Sequence, residues 1–471
     1  MSRPVLYPFL RTLARLIAGV YFRRIEVVGA ENVPARGAVI LAANHPQSIT
    51  DAMILGLATR RVVHYVAHSG LFASPVLRFL LESGGAIPVH RSTDVQDART
   101  RNEQTFAACR DVLADGGCIG IFPEGTSAQE RRVQRFKTGT VRIALQTEDH
   151  HDFSLGVTIV PVGLSFQSAL NFRSRVLVTF GEPIVVRDAA EDYRVDPEAT
   201  IHALTDRLQE RIRHQVVDVR RQELDDFVRQ VERVYAGELL AREGLEVPGH
   251  SRFERELTLS REIARATDHF YRTRPEVIWN VKELLGEYHR RLDRLHLPDR
   301  IVRDQPSSFR SEAVRLAVVF VLGLPVAAWG TLWNYIPYKL TGIVARIITR
   351  DLTKIHWSQL MVGTVLFVAF YAAWFAFALE HFGPVGQVLF MVSLPPAGIF
   401  ARWYVGSLVR RRRHLRWAYL QSTRRLVVQR VLDLRREIIR AMDAALEEHL
   451  ARTGRTTEPV AESRHEDQGH A

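Results

Sequence analysis

Between residues 25 and 190 short apolar runs alternate with stretches in which apolar residues recur at helical spacing. Runs at 24–28, 38–43, 62–67, 84–89, 118–122, 158–164 and 176–180 are five to seven residues long and predict strands. Helical patterns lie between several of them, at 51–60, 74–82, 95–115 and 137–147. Strands separated by helices predict a layered α/β domain.

The flanks read differently. Residues 1–24 place Leu6, Leu10, Leu13, Ile17 and Val20 on one helical face, with Arg11 and Arg15 off it. That pattern fits an amphipathic helix in a membrane interface, and equally one packed on its own domain. Residues 191–310 are charge-dense with apolar positions at helical spacing (Ile201, Leu204, Leu208, Ile212, Val216), which predicts a helical extension broken near 244–250 and at Pro275.

Residues 311–405 hold three apolar stretches without charge: 316–338 over 23 positions, 359–379 over 21 and 382–401 over 20. Each is long enough to cross a hydrocarbon core, which takes roughly 20 helical residues. Lys339, Arg346, Arg350 and Lys354 precede the second stretch and Arg410-Arg411-Arg412-Arg413 follow the third. Positive residues mark the cytoplasmic side, so the second and third stretches are expected to form a hairpin with both ends inside. Pro325 and Pro337 interrupt the first, which is expected to be re-entrant or interfacial unless it too spans. The α/β domain then faces the cytoplasm, with residues 150 and 412 on one face. Residues 406–452 form a basic helix with Val427, Val431, Leu434, Ile438 and Ala445 along one side, either a self-packing stripe or a membrane-surface arm. Residues 453–471 are polar and expected to be disordered.

Charge sharpens the choice of partner. The chain carries a net charge of +11 with a pI near 10.0, which calls for a polyanion: nucleic acid or an anionic membrane. With three membrane-length stretches present, anionic lipids are the expected partner and nucleic acid is not. Four of the 63 basic residues are lysine: Lys137, Lys282, Lys339 and Lys354. The two cysteines, Cys109 and Cys118, have no metal-ligand spacing and read as buried thiols. His64 and His68 lack an evident third ligand, so no metal is expected.

Candidate chemistry begins with Asn44-His45-Pro46-Gln47-Ser48-Ile49-Thr50-Asp51, between an apolar strand and a helix start. There an imidazole can take a proton from a hydroxyl while a carboxylate fixes its tautomer. Ser48 is expected to cap the helix. Backbone N–H groups of residues 46–50 are candidate donors to an oxyanion. Lys137 is the first lysine of the chain, in a segment that otherwise uses arginine. A compact ammonium there suits a phosphate, and chance retention is the plain alternative.

Three more blocks follow in order: Gly85-Ala86-Ile87-Pro88-Val89-His90-Arg91, Phe122-Pro123-Glu124-Gly125-Thr126-Ser127 and Ile159-Val160-Pro161-Val162-Gly163. Together with the first block, and with Arg135-Phe136-Lys137-Thr138-Gly139, they resemble the glycerolipid acyltransferase family. That family contains glycerol-3-phosphate and lysophosphatidate (1-acylglycerol-3-phosphate) acyltransferases. The resemblance covers residues 25–190 and implies an acyl-CoA-dependent O-acyltransferase of phospholipid biosynthesis, with acyl-CoA as co-substrate and no cofactor. His45 and Asp51 would be catalytic. Arg91 would bind the acceptor phosphate with its fork of donors, and Glu124 and Gly125 the glycerol portion. The family usually has four residues between histidine and aspartate, whereas Pro46 to Thr50 makes five. This form resembles the branch acting on glycerol-3-phosphate or dihydroxyacetone phosphate; a lysophosphatidate or other lysophospholipid acceptor is the alternative. Pro161 is expected to end its strand.

Overall fold

The computed structural model describes residues 6–73, 75–89, 98–128, 130–168, 173–242, 251–304, 308–349 and 352–453. Arg91, the break near 244–250 and the tail from 454 onward lie outside these residues.

Every strand the apolar runs predict is present: β1 (Arg24–Val28), β2 (Val39–Ala43), β3 (Val63–His68), β4 (Ile87–Val89), β5 (Cys118–Ile121), β6 (Thr158–Phe166) and β7 (Arg175–Phe180), with a short β8 (Ile184–Val185) added. They form one sheet in the order β1-β7-β6-β2-β5-β3-β4, with β8 beside β6. Strands β2 to β6 pair in parallel, β7 is antiparallel to β6, and β1 is parallel to β7.

Period-two alternation divides the core into two layers. Ile40 and Ala42 of β2, with Ile119 and Ile159, face one side; Val39, Leu41 and Ala43, with Cys118 and Val160, face the other. The second layer is covered by α1 (Tyr7–Tyr21), through Ala18 and Phe22 as the chain leaves it, and by α2 (Ile49–Ala58), through Ile54 and Leu55. After α3 (Pro75–Ser83), the first layer is closed by α4 (Ala98–Ala114) and α5 (Gly139–His150), and then, past α6 (Ala190–Val195), by α7 (Pro197–Gln215). Cys109 and Cys118 are buried in opposite layers, and burial pushes both thiols up to about 12.

Two local expectations need correction. Pro161 does not end its strand, because β6 runs from Thr158 to Phe166 through it. On that edge β8 pairs only at 158–159 and β7 only from 162, so the residue without an N–H falls in the gap between partners. The face that α1 leaves in solvent is Phe9, Leu13, Leu16 and Val20, rotated from the face expected. Its other side docks on the domain, with Arg11 donating to the Thr59 carbonyl and the Tyr7 hydroxyl accepting from Val63 N–H.

The chain divides into two compact units, residues 1–218 with 336–376 and residues 219–335 with 377–471. In the second, α8 (Asp225–Val231), α9 (Gly237–Arg242), α10 (Arg252–Thr273), α11 (Pro275–Leu295) and α12 (Asp299–Asp304) form a helical body, with Pro275 opening α11. Residues 191–218, expected to begin that extension, instead lie in the first unit, where Ile201, Leu204, Leu208, Ile212 and Val216 join the first core layer. The apolar region contains α13 (Phe309–Ile348), α14 (Leu352–His381) and α15 (Pro384–Thr423), and α16 (Arg425–Thr453) follows. All three of α13, α14 and α15 are long and apolar enough to cross a membrane.

The break expected at Pro325 and Pro337 is absent, since α13 is one helix through both. The basic helix also does not begin after 405, because α15 continues through Arg410–Arg413 to Thr423. The stripe of α16 is shifted as well. Val428, Val431, Leu434, Ile438 and Met442 are buried, while Val427 is exposed. It packs on α11 within its own unit, so the self-packing reading holds for this stripe. Arg435 ties the helix down, donating to Asp299 and to Glu238 at 3.0 Å each, while the Tyr288 hydroxyl donates to Asp299 at 2.7 Å.

Candidate active site

In a largely parallel sheet, loops at the carboxyl ends of adjacent strands converge on one edge. The loop after β2 carries His45, and the loop after its neighbour β5 carries Phe122, Glu124 and Gly125. Asn44 anchors the first loop: its side-chain amide accepts from Leu164 N–H at 2.7 Å and donates to the Leu164 carbonyl at 3.1 Å. This buried two-way clamp fixes the residue before His45 to β6.

His45 Nδ1 lies 2.9 Å from Asp51 Oδ2. The extra residue between them is therefore absorbed without parting the pair. Ser48 absorbs it, adopting φ 56° and ψ −128°, a conformation that side chains rarely take. It stands at the N-cap of α2, yet its side chain makes no capping hydrogen bond, which corrects the role expected of it. Backbone strain there should be relieved by glycine. Ser48→Gly is expected to melt no lower than wild type, whereas a glycine at an ordinary position costs about 0.5–1 kcal/mol. Thermal unfolding checks this, and a clear drop in Tm would show that Ser48 holds no strain.

Asp51 is fully buried on the first turn of α2. Its Oδ2 also accepts from Gln47 N–H at 2.7 Å, while Oδ1 is buried without a hydrogen-bond partner. Burial pushes the carboxyl up, and His45 with the backbone amides of Gln47 and Ser48 opposes this. A carboxylate in that position only accepts, so Nδ1 carries the proton and Nε2 is the free base.

The same contacts take some of the expected oxyanion donors. Gln47 spends its N–H on Asp51 and Thr50 donates to the Gln47 carbonyl. Pro46 has no N–H. Of the five, the N–H groups of Ser48, turned toward Asp51, and Ile49 remain.

The β5 loop buttresses the histidine. The Phe122 ring stacks on the His45 ring with centroids 4.0 Å apart and planes 17° from parallel. Glu124 is buried, and its carboxylate accepts from the backbone N–H groups of His45 and Gln134. Burial is the main cause that raises its pKa to about 8, with Asp51 and Asp218 adding to the rise. A carboxyl raised above its ordinary 4.5 in the fold binds protons more readily there than in the unfolded chain. Its contribution to stability therefore falls as pH climbs from about 4.5 to about 8.

Gly125 has φ 69°, and a Cβ there would stand 2.8 Å from Lys137 Nζ. The close approach that this glycine permits is that of the Lys137 side chain, which is exposed. Lys137 is held in place by its N–H, which donates to the Pro123 carbonyl at 2.9 Å. Five of the six expected site residues are thus described, and His45, Asp51, Glu124, Gly125 and Lys137 are connected by direct contacts. Sequence reading assigned no role to Phe122 or Asn44, although both stand inside blocks it quoted.

The two histidines set aside earlier are structural. His64 Nδ1 lies 3.0 Å from the Gly85 carbonyl, and His68 Nδ1 accepts from Gly70 N–H.

The arrangement pairs an imidazole with a buried carboxylate and seats a lysine over the loop that stacks on the imidazole. Comparison with known proteins points the same way. The Acyltransferase family model matches residues 7–165. Glycerol-3-phosphate O-acyltransferase 1 of Saccharomyces cerevisiae is 27% identical over 224 residues, covering 45% of this chain and 28% of the yeast protein. A chloroplastic 1-acyl-sn-glycerol-3-phosphate acyltransferase of Arabidopsis thaliana is 27% identical over 143 residues, covering 30% of this chain and 36% of the plant protein. The chain thus spans about a third or less of the length of these relatives. The crystal structure of the 1-acyl-sn-glycerophosphate acyltransferase PlsC from Thermotoga maritima aligns over 43% of this chain and 80% of that one, at 20% identity and a TM-score of 0.32. Over residues 7–165 this chain resembles an acyltransferase domain.

Proposed function

We propose that the protein transfers a fatty acyl group from acyl-CoA to glycerol-3-phosphate, or to dihydroxyacetone phosphate, at a membrane surface. The observation that carries this reading is the 2.9 Å contact between His45 Nδ1 and the buried Asp51, which leaves Nε2 as base. In the reaction Nε2 takes the proton of the acceptor hydroxyl as its oxygen bonds to the thioester carbonyl carbon. The tetrahedral intermediate collapses with cleavage of the C–S bond, and the coenzyme A thiolate leaves. Asp51 stabilises the imidazolium in between. No covalent acyl-enzyme is required, because a thiolate is already a good leaving group.

Lys137 and Arg91 would meet the acceptor phosphate. Lys137 is supported by its seat over Gly125, in the loop that stacks on His45. Glu124, whose carboxylate is turned to the His45 backbone, would hold the base in place. Apolar Phe9, Leu13, Leu16 and Val20 on α1 would lie in the lipid interface. The five-residue spacing favours the glycerol-3-phosphate branch; relatives that act on 1-acylglycerol-3-phosphate keep that acceptor as the alternative.

The test is transfer from labelled acyl-CoA to glycerol-3-phosphate, dihydroxyacetone phosphate and lysophosphatidate, each offered separately. Preference for lysophosphatidate would replace the leading acceptor, and no transfer to any of the three would sink the reading. Lys137→Ala is expected to raise the acceptor KM about tenfold or more with a smaller change in kcat, since one ion-paired hydrogen bond is worth about 1.5–3 kcal/mol. An unchanged KM would remove Lys137 from phosphate binding.

A further inference from the structure

Within the second unit, α13 from Phe309 to Tyr335 packs on α15 as an antiparallel pair. Phe309 packs on Tyr419, the Tyr404 hydroxyl donates to the Phe320 carbonyl at 2.9 Å, and Asn334 donates to the Leu394 carbonyl at 3.1 Å. As the numbers rise along α13 they fall along α15. A Cβ on Gly323 would fall 2.5 Å from the Tyr404 ring, and one on Gly330 would collide with the Ala397 carbonyl. Small residues thus bring the two helices close.

To one side of this contact the helices part and leave a groove of about 390 Å³. Leu324, Ala328, Thr331 and Leu332 of α13 line one wall, and Tyr404 and Val405 of α15 the other. The Thr331 and Tyr404 hydroxyls both donate to backbone carbonyls, of Ala327 and Phe320, so the walls offer an occupant apolar surface.

The chemistry changes along this seam. Stepping from Leu324 toward the start of α13 in threes and fours gives Val321, Ala317, Val314 and Arg310 on one face, all exposed. Stepping from Val405 toward the end of α15 gives Val409, Arg412 and Arg416, also exposed. The Phe309–Tyr419 contact sets Arg310 and Arg416 level, with Arg412 one turn nearer the groove. The acids close by in sequence are spent elsewhere. Glu312 pairs with Arg315 at 3.0 Å, and Asp304 with Arg300 at 3.5 Å and Arg303 at 3.2 Å. Three guanidinium groups therefore gather at one end of an apolar seam, and their mutual repulsion falls when an anion sits among them.

We propose that this seam binds one anionic phospholipid, with an acyl chain along the groove and the phosphate among Arg310, Arg412 and Arg416. An acyl chain matches walls whose hydroxyls are already bonded, and the guanidinium fork matches phosphate oxygens. A free phosphate would leave the groove uncovered. A second copy of the chain, docked face to face, would bring three more arginines against these three. The site is built wholly from the second unit and is independent of which acceptor is acylated at His45.

The test melts the full-length protein, purified in neutral detergent, with phosphatidylglycerol, phosphatidylcholine or inorganic phosphate added. Phosphatidylglycerol is expected to raise Tm to a plateau at concentrations where phosphatidylcholine and phosphate raise it little. Two variants are read beside it: Arg412→Gln with Arg416→Gln, and separately Ala328→Phe, which fills the groove. Each is expected to need about tenfold or more phosphatidylglycerol for the same rise. Equal protection by phosphatidylcholine or by inorganic phosphate, or an unchanged response in either variant, would overturn the proposal. So would a dimer that Ala328→Phe dissociates, since a second copy would then cover the seam. Should the variants fail to fold, salt decides with the wild-type protein. Protection by phosphatidylglycerol is expected to weaken as ionic strength rises, and protection insensitive to salt refutes the site.

Discussion

Replacing His45 by alanine is expected to lower kcat by at least ~10²-fold with the sheet intact, as loss of a general base should. The expectation follows from where the imidazole stands. Nδ1 is committed to Asp51 at 2.9 Å, and one ring face is covered by Phe122 at 4.0 Å, so Nε2 alone is available to a hydroxyl. The ring is a loop side chain, and its removal opens no cavity in either core layer. Asp51 keeps the N–H of Gln47, so the stability cost should stay near one lost hydrogen bond, about 1 kcal/mol. Steady-state kinetics with acyl-CoA and the best acceptor, read beside Tm, separates the two effects. A variant turning over within tenfold of wild type would take His45 out of the mechanism.

Much of this was legible in the sequence, for a physical reason. A strand buried on both faces reads as a short continuous apolar run, and 38–43, 118–122 and 158–164 are such runs. That His45, Asp51, Glu124, Gly125 and Lys137 come together was also legible, because loops after neighbouring parallel strands meet at one edge whatever their separation along the chain. What the sequence hid was how hydrogen bonds are allotted. Spacing placed N–H groups of 46–50 at the site but could not show that Gln47 and Ser48 turn theirs to Asp51. It placed Glu124 there without showing that its carboxylate faces the His45 backbone. Prolines misled in the apolar region as well. Pro325 and Pro337 read as breaks, yet α13 passes through both. A helix in an apolar setting gains so much from its remaining backbone bonds that one missing N–H does not end it.

Asp51→Asn is expected to lower kcat by roughly 10²–10⁴, the range seen when a base loses the group that fixes its tautomer. The volume is unchanged, so the helix start should keep its shape. The chemistry does not survive, because one oxygen, Oδ2, accepts from both His45 Nδ1 and Gln47 N–H, while Oδ1 has no hydrogen-bond partner. An amide with its oxygen in the place of Oδ2 keeps both bonds but lacks the negative charge that would stabilise an imidazolium. Turned over, its NH₂ faces Nδ1 and forces the imidazole into the tautomer protonated at Nε2, which no longer accepts a proton, and it sets Gln47 N–H against a donor in a buried place, at about 1–3 kcal/mol. The two outcomes differ in stability and agree in activity. Burial has also raised the Asp51 carboxyl, so its contribution to stability falls as pH rises beyond the ordinary carboxylate range, and asparagine removes that dependence. Tm measured against pH should therefore flatten in the variant while kcat drops and the acceptor KM changes little. A variant retaining turnover within tenfold of wild type would mean that Asp51 only packs the helix start, and that its charge does not serve the base across the 2.9 Å contact.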